Sequence, residues 1–439
     1  MIKKSFIGLA KPRLMYETLE SLLPEPRNIE LPEKVTLLLE TASEKLSANG
    51  QFSIKEGDKV KTGQKLTFSG ENGIYVTSTV TGKISSVTPF SGNFGKKYTA
   101  ISIETAPDEE IDADFGKIAG KDPFNGIRDF LLSCPGGIPP HLFSNNNGAV
   151  KILVICGIDN DLLISTSQYM VKADMNSIKD GIDILKKAIA AEKIIFAVPR
   201  HLKHEASAAD AVTKIIAPQY PAASPRMIMK DVLGLVVPAG KTCEDMGVSF
   251  ISAEAAASIG SAFKGGVIPF TKKITVIKKD GTAALVSARI GTPLSNIFKV
   301  LDIHLNEKDR IVFGGPMTGT AVYSADLPVL PDTDAVIIQD FSAIPLVSDY
   351  PCINCGECIR ICPANVPINM LVRLLEAGLY EEAMDEYDLQ ACIECGLCSY
   401  VCPARIPIFQ YIRLAKHELS RLQTGEEAIK ETTKEANDD

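Results

Sequence analysis

Long apolar runs are missing from this chain of 439 residues. None approaches the roughly eighteen needed for a helix that crosses a membrane. An excess of basic charge is missing too. The formal charge is −8, which gives no general attraction for DNA or RNA and leaves nucleic acid out as a partner. Histidine is scarce: His141, His201, His204, His304 and His417 form no zinc-protease pattern. No Ser/His/Asp nucleophilic set is identified. The first residues, MIKKSFIGLAKPRLMYE, hold only a short apolar stretch, interrupted by Lys11-Pro12-Arg13. A secretory h-region should be longer, so the chain is expected to remain in the cytosol.

Cysteine is what the chain has in quantity, eleven in all. Eight lie in two ladders, CINCGECIRICP (Cys352 to Pro363) and CIECGLCSYVCP (Cys392 to Pro403). Clustered cysteines in a cytosolic protein bind metal more often than they form disulfides. In C-x2-C-x2-C-x3-C-P the first three thiolates wrap one four-iron cluster, and the fourth reaches the other cluster instead. The expected ligand sets are therefore Cys352, Cys355, Cys358 and Cys402 for one [4Fe-4S] cluster. Cys392, Cys395, Cys398 and Cys362 would hold the second. Zinc would prefer separated pairs of ligands to triplets with a distant fourth. Cys134, Cys156 and Cys243 have no ligand-like neighbours and read as small buried hydrophobes.

The repeat extends beyond the cysteines. PANVPI (Pro363 to Ile368) matches PARIPI (Pro403 to Ile408), and NMLVRLLEAGL aligns with FQYIRLAKHEL. Each half reads as ladder, turn, helix, with Gly356 and Gly396 at the tight turns. Gly378 suits the C-cap of the first helix. The final fifteen residues, Gly425 to Asp439, carry six acids against two lysines, a net of −4. With no apolar periodicity they read as a disordered tail.

Ahead of the ladders the texture changes twice. GDKVKTGQKL (Gly57 to Leu66) and STVTGKISSV (Ser78 to Val87) alternate apolar and polar residues around glycine turns. Two such halves resemble the barrel sandwich of lipoyl and biotinyl domains. The turn between them, Ser69 to Gly73, has no lysine to modify, which favours a structural barrel. KILVICGI (Lys151 to Ile158), a helix over Ser177 to Glu192 and KIIFAVP (Lys193 to Pro199) predict a βαβ unit and a parallel sheet. Lys272 to Gly291 reads as a hairpin turning at Lys279-Asp280-Gly281. A helix should follow, with Thr292 as N-cap and Pro293 at its first position. Gly314-Gly315-Pro316 reads as a tight turn after a strand, and PVLPDTD (Pro328 to Asp334) as a linker.

This order of parts resembles the C subunit of the Rnf ion-translocating oxidoreductase over nearly the whole chain. Both ladders carry the resemblance, together with ARIGTP (Ala288 to Pro293), FGGPMTG (Phe313 to Gly319) and GDKVKTGQKL. The implied architecture is a multidomain α/β protein. Residues 1–110 would form an N-terminal segment and barrel-sandwich (lipoyl-like) domain, and 120–270 a Rossmann-like α/β flavoprotein domain. Residues 271–325 would form a β-grasp (SLBB-like) domain and 335–424 a helical two-cluster ferredoxin domain, with the tail at 425–439. The resemblance implies a peripheral subunit on the cytoplasmic face of the bacterial inner membrane. It would relay electrons through two [4Fe-4S] clusters between NADH or ferredoxin and membrane subunits. The cobalamin-reductase subunit of propanediol-utilising organelles has a similar order, so a soluble flavin and iron–sulfur reductase is the alternative.

The family also implies FMN, held at a loop of the form G-x-G-G-A-G-F-P-T-x-x-K. The matching stretch is LSCPGGIPPHLF, Leu132 to Phe143, where Gly136, Gly137 and Pro139 survive. Cys134 and Pro135 replace glycines, and Phe143 stands where the family lysine does. Proline removes an amide that could hold phosphate. Asp159 and Asp161 occupy the family's acidic positions with shorter arms and read as solvated acids at a strand end. These departures favour an α/β domain that acts as a scaffold over one that binds FMN and turns over NAD itself.

Overall fold

The computed structural model describes residues 12–19, 25–40, 54–67, 75–92, 95–121, 128, 130–139, 142, 150–189, 191–348 and 350–435, the last thirteen as backbone only. The turn at 69–73, together with Pro140, His141 and Phe143, lies outside them. The chain divides into two compact units. One comprises Met15–Ile228 and Cys243–Ala343; the other comprises Met1–Leu14, Met229–Thr242 and Ile344–Asp439.

In the first unit, Arg27–Asn28 (β1) pairs with a strand far along the chain and is described with it below. Lys34–Glu40 (β2), Lys59–Val60 (β3), Lys65–Thr67 (β4), Tyr75–Thr77 (β5), Gly82–Ser91 (β6) and Lys97–Thr105 (β7) build the expected barrel sandwich. Its antiparallel sheet runs β2-β7-β6-β3, with β4 and β5 paired beside it. Val35, Leu37 and Leu39 face inward along β2 and meet Ile84, Ile101 and Ile103 in one core. Strict alternation produces this, because neighbouring side chains of a strand point to opposite faces.

The parallel sheet follows as Ile152–Cys156 (β8), Lys193–Pro199 (β9), Val212–Ile216 (β10) and Val248–Ser252 (β11), in the order β10-β9-β8-β11. The predicted helix runs Met175–Ile189 and buries Ile178, Ile182 and Leu185. A second helix, Ala253–Gly265, is capped at Ser252, whose hydroxyl accepts from the Ala255 N–H.

The third sheet is larger than the sequence suggests. Thr271–Ile277 (β12) and Ala283–Arg289 (β13) form the expected hairpin, joined by Arg310–Phe313 (β14), Thr320–Val322 (β15) and Ala335–Gln339 (β16). With β1 at its edge the order is β1-β13-β12-β16-β14-β15. Two expectations need correction here. Pro328 to Asp334 does not link to the cluster module: it leads into β16, which is buried between β12 and β14. The sheet therefore extends past residue 325, and the boundary between the units falls after Ala343, not before 335. Nor does Thr292 cap the next helix, Leu294–Val300. Pro293 takes that position in extended conformation, because Thr292 O accepts from the Val329 N–H and Pro293 bridges Pro328.

Lys272 joins these layers. Fully buried on β12, its ammonium contacts the carboxylates of Glu254, on the helix after β11, and Asp334, before β16. Glu254 also accepts the Lys273 N–H at 2.9 Å. Burial alone would depress the lysine; the two carboxylates outweigh it and hold the ammonium charged.

The second unit is helical. Glu357–Ile361 and Leu397–Val401 are short helices inside the two ladders, and Ile368–Glu376 and Ile408–Glu435 follow them. The segment 425–439 was expected to be disordered. The last helix instead continues through its first eleven residues, to Glu435. Glu, Ala and Lys are strong helix formers and extend a helix whose first turns are already packed. The first helix of the pair stops early, with Gly378 in the left-handed conformation two residues beyond Glu376.

Removing the Lys272 charge strands the buried Glu254 carboxylate in the core and unpairs the half-exposed Asp334. Lys272→Met should cost about 3 kcal/mol or more of stability, read from urea unfolding. Adding Glu254→Gln should recover part of the loss. Additive losses in the double variant would refute the ion cluster as the cause.

Candidate metal centre

The ladders fold as two copies of one local structure, offset by 40 residues from Cys352 to Cys392. Gly356 and Gly396 have φ of 74° and 71°, a conformation glycine adopts without Cβ strain. Asn354 and Glu394 repeat this sign, as do Asn365 and Arg405. The Cys362 and Cys402 amides donate to the carbonyls of Ile359 and Ser399, closing each short helix. Pro363 and Pro403 stop it there.

These turns bring the two ladders together. One cavity is lined by Cys352, Cys355 and Cys358 of the first ladder and by Cys402 of the second. Conversely, Cys362 of the first ladder lies close enough to Cys392 and Cys395 to act electrostatically on both. Cys358 also acts on Cys398, so the two groups are neighbours. Cys358, Cys392, Cys398 and Cys402 are buried, Cys352, Cys362 and Cys395 half-buried, and Cys355 exposed. Around them Val366, Leu371, Ile406 and Ile412 complete an apolar core.

Burial pushes the Cys358 thiol up to about 12, and the neighbouring Cys352, Cys355 and Cys402 add to it. Cys395 also rises to about 12, first through burial and then through Cys392 and Cys362. Crowded buried thiols cannot ionise together without a compensating cation. Iron would supply that charge in place of the protons, so the four thiols lining this cavity from two ladders suit a cubane iron–sulfur cluster.

Two polar groups beside the ladders went unnoticed in the sequence. Lys416 donates from Nζ to Cys392 O at 2.8 Å and to Glu394 Oε1 at 2.9 Å. Ser399 Oγ accepts the Phe409 N–H at 2.8 Å. The aligned repeat held a signal for the first: Lys416 stands opposite Glu376, the one position of that alignment where the charge changes sign.

The glycine loop is built differently from a phosphate cradle. The Gly136 N–H donates to Pro331 O at 2.9 Å. Its carbonyl accepts from Ser252 Oγ, and Pro135 O from Ser258 Oγ. A Cβ on Gly136 would lie 2.2 Å from Ala255 N, so the loop rests directly on the start of helix Ala253–Gly265. The Gly136 N–H and the carbonyls of Pro135 and Gly136 are thus engaged by protein partners. Cys134 and Cys243 are buried as expected, and Cys156 is half-buried.

Asp159 and Asp161 are not solvated acids: each is 3% exposed. Asp159 accepts from the Ser167 N–H at 2.7 Å and the Gln168 amide at 3.3 Å. Asp161 accepts from the Met317 and Thr318 N–H groups and the Thr318 hydroxyl. It thereby fastens the turn after β14 to the end of β8. Burial wins over solvation here because each oxygen has a donor.

Residues 24–109 match the RnfC barrel sandwich hybrid domain and residues 351–406 a 4Fe-4S dicluster domain. The chain is 25% identical over 382 residues to the C subunit of the ion-translocating oxidoreductase complex of Pectobacterium carotovorum, covering 82% of this chain and 51% of that protein. It is 25% identical to the C subunit of the proton-translocating ferredoxin:NAD(+) oxidoreductase complex of Clostridium ljungdahlii, over 76% of this chain and 78% of that one. The Na(+)-translocating counterpart from Acetobacterium woodii is 24% identical, over 72% and 76%. The chain thus spans about half the length of the Pectobacterium relative.

Asp159 gives the α/β domain a pH signature. Burial pushes its carboxyl up to about 6, and the charge of Asp334 adds to this. An acid raised on folding stabilises the fold while protonated. That contribution is full below about pH 4, the unfolded value, and is lost as the pH rises through 6. Asp159→Asn removes the ionisation. Its stability relative to the parent should climb between pH 4 and 7, by up to roughly 3 kcal/mol, and then level off. A pH series of thermal melts with a constant difference would contradict this.

Proposed function

We infer from this chain's membership of the RnfC family that it is an electron-transfer subunit of an ion-translocating ferredoxin:NAD oxidoreductase complex. It relays electrons through two [4Fe-4S] clusters between a soluble carrier, NADH or ferredoxin, and membrane subunits. The observation that carries the reading is the grouping of eight thiols across two ladders, with Cys402 beside the first triplet. In this reading Cys352, Cys355, Cys358 and Cys402 hold one cluster. Cys392, Cys395, Cys398 and Cys362 hold the other. The clusters supply one-electron carriers whose potential the protein tunes by charge, hydrogen bonding and burial. The chain's own residues keep the two sets adjacent: the short helices bury the third cysteine of each ladder, Cys358 and Cys398, and Val366, Ile406 and Ile412 exclude water. The relatives matched are subunits of ion-translocating complexes, which favours this reading over a soluble cobalamin-type reductase.

The site of action would be the cytoplasmic face of the bacterial inner membrane. Among the described residues no helix is long and apolar enough to cross a membrane, and attachment would come through the partner subunits. The α/β domain serves as a scaffold, because its loop donors and strand-end acids are bound to protein. No step of the relay is assigned to flavin.

Protein purified without oxygen should carry about eight iron atoms, four per cluster. Cys362→Ala and Cys395→Ala should empty the same cluster, so their double variant keeps about four iron. Cys362→Ala combined with Cys355→Ala should keep none. The reverse pattern would defeat the exchanged wiring, and an iron-free parent the whole function. Denaturing the loaded protein should release no FMN fluorescence; stoichiometric FMN would overturn the scaffold.

A further inference from the structure

The two ladders offer an internal comparison. They share turns, short helices and hydrogen bonds at a constant offset, so a difference between them is a difference in what each cluster would feel. The largest is a charge. In the second half Lys416 sits with only 17% of its side chain exposed, donating to Cys392 O and to Glu394. In the first half the same position is Glu376, which is exposed. Asn354 stands in for Glu394 there and accepts from the Asn369 amide at 2.9 Å, tying the loop down without charge.

We propose that Lys416 holds the cluster of Cys362, Cys392, Cys395 and Cys398 at a higher reduction potential than its neighbour, so that the first electron rests on that side of the pair. The inference rests on the two-cluster reading above. A cluster gains negative charge when reduced, and a fixed cation beside its ligand loop favours that state. Glu394 offsets the effect only in part, since it is 40% exposed and water screens it more than the ammonium. The first ladder also has a cation, Arg360, which donates to Cys355 O at 3.3 Å. It is half exposed, however, and its ion-pair partner Glu357 lies deeper than it does, at 19% against 48%. The local charge therefore opposes reduction at the first cluster and favours it at the second. Lys416 is a tuning residue; it ligates nothing.

The test is an EPR-monitored redox titration of the full-length protein, loaded and purified without oxygen. In the parent, two midpoints are expected. The higher should belong to the cluster whose spectrum changes in Cys395→Ser, and the lower to the one changed in Cys355→Ser. Lys416→Gln should keep about eight iron and lower the higher midpoint. At the parent's midpoint its oxidised-to-reduced ratio should rise about tenfold, ~59 mV for a one-electron couple. Lys416→Arg should stay near the parent. The proposal falls if Lys416→Gln keeps its iron with both midpoints unmoved, or if Lys416→Arg shifts as far as Lys416→Gln. It also falls if the higher midpoint in the parent belongs to the Cys355 cluster, a result that needs no stable Lys416 variant. A parent lacking eight iron would remove the two-cluster reading itself, which separates that failure from these.

Discussion

Crowding of buried thiols is the constraint on which the second unit depends. Cys358 and Cys395 are each raised to about 12 by burial first and then by the thiols beside them. The cysteines are also part of the apolar core, packed with Leu371, Val372, Ile406 and Ile408. The helices that carry them, Glu357–Ile361 and Leu397–Val401, have five residues each. Helices so short are not stable alone in water. Their geometry must come from what they surround. Binding a cluster would therefore be coupled to folding of the ladders, with the thiols giving up their protons to the metal.

In the proposed wiring, exchange of the fourth cysteine adds a second constraint. With Cys402 lining the cavity of the first triplet and Cys362 near the second, neither half would close its site without the other. A repeat built this way keeps its two metal sites at a spacing set by covalent geometry: the last turn of each short helix leads from one site to the other. Symmetry of backbone then leaves side chains free to differ, and the contrast of Lys416 with Glu376 uses that freedom.

Much of this was readable in the chain alone. The cysteine spacing pointed to Cys402 beside the first triplet, where one cavity holds them together, and alternation along β2 and helical periodicity over Met175–Ile189 pointed to the barrel and the βαβ unit. What escaped did so for physical reasons. β16 is a short apolar run, AVIIQ, whose strand character comes from the slot between β12 and β14. Such a run has no periodicity to show. Thr292 has good capping chemistry, but its backbone is committed to Val329. Asp159 and Asp161 look like surface acids by composition alone. Their donors come from as far as Thr318, and only the tertiary fold brings those donors near. Lys416 was visible only as a break in a repeat, a signal that gains meaning once Cys392 O is known to lie within reach.

In the α/β domain, turn amides are paired with groups of the chain itself. Backbone amides at tight turns attract anions. Here the amides of Met317 and Thr318 do find an anion, and it is the carboxylate of Asp161 from the chain itself. The Gly136 amide finds the Pro331 carbonyl. A phosphate taking the Met317 and Thr318 amides would leave the buried Asp161 carboxylate without those donors, at a cost in free energy. Once such internal partners are in place, the turns hold β8, β14 and the helix after β11 together without a ligand. In the scaffold reading proposed above, electron transfer resides in the thiol ladders and this domain holds its sheet and helices in place.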